Sequence, residues 1–367
     1  MESGIVGDAN NTPAVKRMDV GQVHENERDK STLPVSSPSN STLGADTISS
    51  KSQEKKIHRK IRLSDFPNRI EQMHRDHDFM FQAEFDLINE SSATLPVDRS
   101  SLTATTDENI LKNRFVNILP YEENRVILSG KSDFINASFI DGYKQPKEYI
   151  ATQGPISEEE EKHGQRTATT NDFWAMIWQY NCASVIMLTQ CVESSRYKCG
   201  QYWPKNVFEA KQYGDIIVQL VEETDRTICI VRKFALIKNE EARTVTQWHF
   251  MEWKDANAPN ARHLLDFIDM VRKSSKHFKS PTIVHGSGGV GRPGTYIALD
   301  CLLQHICHHD EVDLFACVRG LRSQRVRMVQ TLEQYVALHD CLAVAMKKGT
   351  TEVDHGANED SLSHSSI

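Results

Sequence analysis

The run Pro281-Thr282-Ile283-Val284-His285-Gly286-Ser287-Gly288-Gly289-Val290-Gly291-Arg292-Pro293-Gly294-Thr295 constrains this chain more than any other stretch. A short apolar strand, Thr282 to His285, feeds a loop with glycine at four of six positions: 286, 288, 289 and 291. A helix follows, read over Gly294 to Cys307, with Arg292 at its opening. Glycines let the backbone curl so that successive N–H groups point inward, and the helix adds the positive end of its dipole. Arg292 supplies a two-pronged guanidinium that matches a phosphoryl group. Strand, loop and helix together have the make-up of a phosphate cradle.

Composition narrows the setting. A chain of 367 residues suits one large domain with tails, or two small ones. A net charge of −7 weighs against a nucleic-acid binder, and the short basic run Lys55-Lys56-Ile57-His58-Arg59-Lys60 reads as a solvated linker. No stretch approaches the ~18 consecutive apolar residues of a membrane span, and the start Met1-Glu2-Ser3-Gly4 has no signal-peptide core. Eight cysteines lie scattered without disulfide-framework or zinc spacing, which predicts free thiols in a reducing compartment, cytosolic or facing the cytosol. Neither a metal nor a cofactor is expected.

Residues 1–57 are rich in Ser, Thr, Asn, Asp and Pro and poor in aromatics, the signature of a disordered tail. Residues 58–111 read as two short helical pieces, from Phe66 and through Phe85, followed by a loop from Asn89 to Asn109. Residues 112–346 carry a mixed α/β pattern, and 347–367 turn polar and acidic like a tail. Strands are predicted at Ser184 to Leu188, Asp215 to Glu222, Thr227 to Lys238, Arg243 to Trp253 and Thr282 to His285. Helices are predicted at Asn171 to Tyr180, Arg262 to Lys276, Gly294 to Cys307, Leu314 to Gln324 and Thr331 to Met346. The period-two alternation from Thr244 to Phe250 suits a half-buried strand, and the unbroken apolar run Ser184 to Leu188 a buried one. No internal repeat is visible.

Seven separated motifs between residues 112 and 342 resemble, in order, those of the classical protein tyrosine phosphatases. They are Lys112-Asn113-Arg114-Phe115; Asp133-Phe134-Ile135-Asn136-Ala137-Ser138; Tyr149-Ile150-Ala151-Thr152-Gln153-Gly154-Pro155; Asp172-Phe173-Trp174-Ala175-Met176-Ile177-Trp178; Lys198-Cys199-Gly200-Gln201-Tyr202-Trp203-Pro204; the cradle; and Gln330-Thr331-Leu332-Glu333-Gln334-Tyr335. The helical segment before them resembles the one that precedes receptor-type phosphatase domains. The resemblance implies a single tyrosine-phosphatase-fold domain, a twisted mixed sheet flanked by helices.

The departures bear on function. In the family the cradle motif carries a cysteine thiolate that displaces the phenolate and takes the phosphoryl group; that position here is Gly286, which has no side chain to attack with. The hydroxyl residue after the arginine is replaced by Pro293. The acid loop reads Trp253-Lys254-Asp255, keeping the general-acid aspartate as Asp255 but losing the family's proline to Lys254. Gln330 and Gln334 match the glutamines that position water in the family, and without a phosphoenzyme are left as ligand contacts. Ser287, Gly288, Gly289, Val290, Gly291 and Arg292 are the expected phosphate contacts. Phe115, in place of a tyrosine, keeps a face for the phosphotyrosine ring; Asn117 and Lys198 are the remaining expected ligand contacts, Lys198 paired with Glu193. Between Pro155 and Asn171 the chain is longer than the family's link, and its Glu158-Glu159-Glu160-Glu161 reads as a solvated loop or as a dock for a basic partner.

A thiolate ~4 Å from a phosphate charge would repel it by about 1 kcal/mol in water and about 4 kcal/mol at an effective dielectric of 20. Gly286 removes that repulsion and leaves every other donor of the cradle in place. The sequence therefore points to a catalytically inactive, phosphotyrosine-binding relative of the phosphatases, whose partner is a phosphotyrosine-containing protein. Two other readings stay open: an active phosphatase, should Gly286 be an error of sequence, and an inert interaction domain that uses another surface.

Overall fold

Side-chain alternation along short apolar strands sets the architecture. In the strand Thr282–His285, Ile283 and Val284 enter different cores; Val185 and Ile186 separate in the same way, as do Ile150 and Ala151. A strand buried on both faces must be central. The computed structural model describes residues 60–93, 100–130, 132–164, 166–253, 258–275 and 279–359, all within one compact unit. The expected tail 1–57 lies outside them.

The strands are β1 (Ile61–Arg62), β2 (Arg125–Ile127), β3 (Phe134–Ile140), β4 (Tyr149–Thr152), β5 (Ser184–Met187), β6 (Val192–Glu193), β7 (Arg196–Tyr197), β8 (Ala210–Tyr213), β9 (Ile216–Arg226), β10 (Cys229–Lys238), β11 (Glu241–Phe250), β12 (Thr282–His285) and β13 (Glu311–Val312). Nine form one sheet in the order β2-β3-β4-β12-β5-β11-β10-β9-β8. Its centre, β4-β12-β5-β11, is parallel, and antiparallel pairs extend it on both sides. The mixed sheet matches the fold expected from the motifs.

The helices are α1 (Phe66–Met73), α2 (Arg75–Ala93), α3 (Leu102–Thr105), α4 (Glu158–His163), α5 (Thr170–Gln179), α6 (Ala261–Ser275), α7 (Gly291–Ile306), α8 (Leu314–Gln324) and α9 (Leu332–Glu359). One core brings Phe66, Phe81, Phe267, Tyr296, Phe315 and Leu338 together with Val284 and Ile186. The other packs Phe173 and Trp174 of α5 with Tyr202, Phe234 and Ile283.

Several elements differ from the sequence reading. The expected loop from Asn89 to Asn109 holds the end of α2, which runs to Ala93, and the short helix α3. Helix α7 begins at Gly291, three residues earlier than predicted, so Arg292 and Pro293 lie in its first turn. Proline is tolerated there because a first-turn N–H has no intrahelical acceptor. Helix α9 runs past Met346 to Glu359. The acidic stretch 158–163 is a helix rather than an open loop, with a reciprocal cap between Ser157 and Glu160. Its exposed glutamates flank a buried one: Glu160 closes a two-pronged pair with Arg114, which also donates to the Gly154 and Pro155 carbonyls. A glutamate buried in this way braces the cradle's surroundings and is not available to a basic partner.

Three buried histidines make the fold acid-sensitive. Burial, foremost, pushes His249 and His339 down to about 4 and His285 down to about 3. The unfolded chain takes up these protons first, near pH 6.5, so stability is full above that value and declines below it toward the folded values. Between pH 6.5 and 5 each histidine costs about 2 kcal/mol. Melts at pH 7.5, 6.5 and 5.5 should show little change over the first interval and a clear fall over the second; a flat profile would mean that these rings are protonated in the fold.

Candidate functional site

The glycine-rich loop joins the carboxyl end of β12 to α7 at the centre of the sheet. Its shape follows from where its carbonyls go. Ser287 O accepts from Gly154 N at 2.9 Å, Gly288 O from Arg325 Nη2 at 3.3 Å, and Gly289 O from Arg325 Nε at 2.9 Å. Val290 O accepts from Gly294 N at 3.0 Å and Val329 N at 3.1 Å, and Gly291 O from the Thr295 hydroxyl at 3.0 Å. Five consecutive carbonyls are thus tied to the outer wall. Their N–H groups are left to line the inside of the curl, an anion-binding concavity at a helix N-terminus. Gly289 makes the bend possible: its φ is +75°, and a Cβ there would lie 2.3 Å from the Thr152 carbonyl carbon.

Arg325 was not singled out from the sequence. It is fully buried, and besides the two loop carbonyls it donates to Asn136 Oδ1 at 2.7 Å and Ser138 Oγ at 3.1 Å. Burial pushes its pKa down to about 9, which leaves it charged at neutral pH. Its local sequence does not mark it: Arg325 stands between Gln324 and Val326, while Arg327, the cation that does lie between apolar residues, is exposed. Arg325→Met keeps most of the volume and strands its acceptors, at roughly 1–3 kcal/mol apiece. We expect the melting temperature to fall by more than about 5 °C in a domain of this size, with Arg325→Lys in between. An unchanged melt would show that the loop holds its shape without this guanidinium.

Arg292 points its fork at Glu193, with Nη1–Oε1 at 2.7 Å and Nη2–Oε2 at 2.8 Å, and Nη1 also donates to Leu188 O at 2.9 Å. Burial alone would raise the Glu193 carboxyl; hydrogen bonds from Arg292, Gln190 N and Thr189 Oγ1 outweigh it and hold the group below the usual carboxylate range. Lys198 Nζ stands 3.9 Å from Glu193 Oε2, so the expected pair is present. Gln334 also lies at the loop: a Cβ on Gly291 would meet its Nε2 at 2.8 Å, and its Oε1 accepts from Gln330 N at 2.9 Å. Gln330 itself is exposed. Phe115 touches the opposite side, where a Cβ on Gly288 would lie 3.4 Å from its ring. Asn117 is exposed on the same turn. Lys254 and Asp255 lie outside the described residues, while Trp253 before them is buried.

Gly286 and Pro293 face each other. A Cβ on Gly286 would sit 3.2 Å from Pro293 Cδ and 3.5 Å from Cγ, the first closer than the ~3.5–4.0 Å at which carbons pack. The Pro293 ring lies against the position where a residue-286 side chain would begin. Behind Gly286, Gln247 Nε2 donates to the Tyr202 hydroxyl at 2.6 Å, and that hydroxyl is hydrogen-bonded to His285 Nε2 at 2.9 Å. Among the described residues no group of three or more His, Cys, Asp or Glu side chains could hold a metal ion.

Comparison with known proteins agrees with this geometry. The family model for protein-tyrosine phosphatase matches residues 109–344. The chain belongs to that family. It is 38% identical over 307 residues to phosphatidylinositol phosphatase PTPRQ of Homo sapiens, an alignment covering 82% of this chain and 13% of that protein. It is 36% identical over 316 residues to receptor-type tyrosine-protein phosphatase zeta of Rattus norvegicus, covering 80% and 13%. A tyrosine-protein phosphatase Lar-like protein of Caenorhabditis elegans is 35% identical over 304 residues, covering 81% and 13%. The chain thus spans about 13% of the length of the curated relatives it matches. No helix among the described residues is long and apolar enough to cross a membrane. All eight cysteines are unpaired thiols.

Proposed function

We propose that this phosphatase-family domain is catalytically inactive and binds phosphotyrosine on a protein partner at the cytosolic side, protecting that site or holding a complex together. One observation carries the reading: Gly286 removes the nucleophile, while the outward-tied carbonyls and Arg292 keep the donor set of the cradle. Loop amides from Ser287 to Arg292 would hold the phosphate oxygens, with Arg292 sharing its guanidinium between Glu193 and the ligand. Phe115 would lie along the aromatic ring, and Lys198, Asn117 and Gln334 would edge the mouth. Asp255 and Gln330, at the general-acid and water-positioning places of the family, have no phosphoenzyme to serve.

The test has two parts on the same protein. Aryl phosphates should show no hydrolysis above buffer, since nothing at position 286 can displace the phenolate. Calorimetry should show phosphotyrosine peptides binding and their unphosphorylated forms silent. One relative's name specifies phosphatidylinositol, so a soluble inositol phosphate belongs in the titration; preference for it over every phosphopeptide would overturn the protein-partner assignment. A hydrolysis rate abolished by Arg292→Ala would instead establish a working enzyme.

A further inference from the structure

The antiparallel end of the sheet is covered unevenly. Val231 of β10 and Trp248 and Phe250 of β11 are buried in the core shared with α6, where Phe250 and Phe267 lie 4.8 Å apart between ring centres. Side chains alternate along a strand, so Ala235 and Ile237 share a face with Val231. Further along the strands that face is open to solvent. Ile237 stands opposite Ile217 of β9, and Ile217 and Val221 are exposed while Val218 and Leu220 are buried. Phe208, 75% exposed, closes the row: its N donates to Leu220 O, next to Val221, at 2.7 Å. Its backbone lies in the left-handed region at φ +68°, unfavourable for a bulky side chain. Two further bonds hold it there. Gln219 Nε2 donates to Phe208 O at 3.2 Å, and Glu209 N donates to Asn206 O at 3.1 Å across the turn. Strain kept at an exposed aromatic beside a bare aliphatic row points to a contact surface.

Charge decides what fits it. The cations beside the row are paired within the chain, Lys233 with Glu222 and Lys238 with Asp215, each at 2.8 Å. The face therefore offers little to an acidic or a basic peptide. A chain with a net charge of −7 repels its own copies over most of its surface, and this neutral face is a place where they can meet. We infer that the open face of β8, β9 and β10 is the contact between two copies of this chain, packed sheet on sheet about a two-fold axis. In such a contact each residue acts twice, so Phe208 of each copy is buried against the other's aliphatic row. The contact is independent of whether the cradle binds phosphotyrosine.

Sedimentation equilibrium on the whole chain tests this over a range of roughly 1–100 μM, within which modest interfaces associate. Wild type should pass from one chain toward two across that range. Phe208→Asn removes the ring but keeps a residue that tolerates a left-handed backbone, and Ile217→Lys places a charge in the row. Each should weaken the dimer at least about 10-fold, because the change is felt twice. Leu102→Lys, at an equally exposed apolar position on α3, should leave it unchanged. Thermal melts of all four proteins establish that the variants are folded. A wild-type chain that stays monomeric up to ~100 μM would overturn the inference. So would a dimer that folded Phe208→Asn and Ile217→Lys leave intact, since it would form through another surface.

Discussion

Arg292→Ala is expected to weaken phosphotyrosine-peptide binding at least about 10-fold, with the peptides' unphosphorylated forms unaffected. Hydrogen bonds to charged groups contribute roughly 1.5–3 kcal/mol each, and the fork can supply two of them to one phosphate. In the free protein the guanidinium is paired with Glu193 at 2.7 and 2.8 Å, so a bound phosphate must share its five N–H donors with that carboxylate. Sharing lowers the net gain, which is why the expected loss is nearer one hydrogen bond than two. Removing the guanidinium also strands a largely buried carboxylate, so thermal melts must accompany the titration. Arg292→Lys separates the two effects: it keeps a charge beside Glu193 but loses the planar fork, and should bind weakly while melting nearer to wild type. Phe115→Ala should cost less, about 0.5–1.5 kcal/mol if the ring stacks on the ligand. Undiminished affinity of Arg292→Ala in calorimetry would remove the cradle from the binding reaction and favour an inert interaction domain.

The second large effect concerns rescue. Gly286→Cys by itself should restore little hydrolysis, and Gly286→Cys with Pro293→Thr considerably more. The cause is local and steric: a residue-286 Cβ would stand 3.2 Å from Pro293 Cδ, so the proline ring must shift before a cysteine fits. Overpacking of this kind typically costs 1–3 kcal/mol, here falling on the loop whose shape holds the phosphate. Threonine removes the ring and returns a hydroxyl at the place where the family pattern has one. Adding Lys254→Pro, which restores the family's acid-loop sequence, should raise the rate again. Stopped assays on p-nitrophenyl phosphate with the single, double and triple variants would rank the three contributions. Full activity from Gly286→Cys alone would show that the pocket yields to a cysteine without the other changes. The two departures would then be independent rather than fitted to each other.

Much of the fold was legible because its signals are local. The strand Thr282–His285 and the helix Leu314–Gln324 stand where periodicity placed them, and α5, α6, β10 and β11 differ by one to three residues at their ends. The ordered motifs covered nearly the same residues that the family model matches, 109–344. Element ends were less legible, since first-turn residues carry little periodicity: α7 takes in Arg292 and Pro293 because its first N–H groups need no helical acceptor. The glutamate run at 158–161 read as solvent-facing because charge predicts exposure; only the fold brings Arg114 across to Glu160.

The residue types at the cradle were fixed by the sequence alone: four glycines, one arginine, and glycine where a nucleophile would have to stand. A missing side chain is a covalent fact, and no packing can supply it. The hold on the loop is another matter. Arg325 reaches Gly288 and Gly289 from 36 or more residues away, Gly154 caps Ser287 from another strand's end, and Pro293 lies against Gly286 across the loop. Those contacts join positions far apart in the chain or turned toward each other by the bend. Only the tertiary structure could decide them, because hydrogen bonds and van der Waals contact depend on distance in space and leave no period in the sequence.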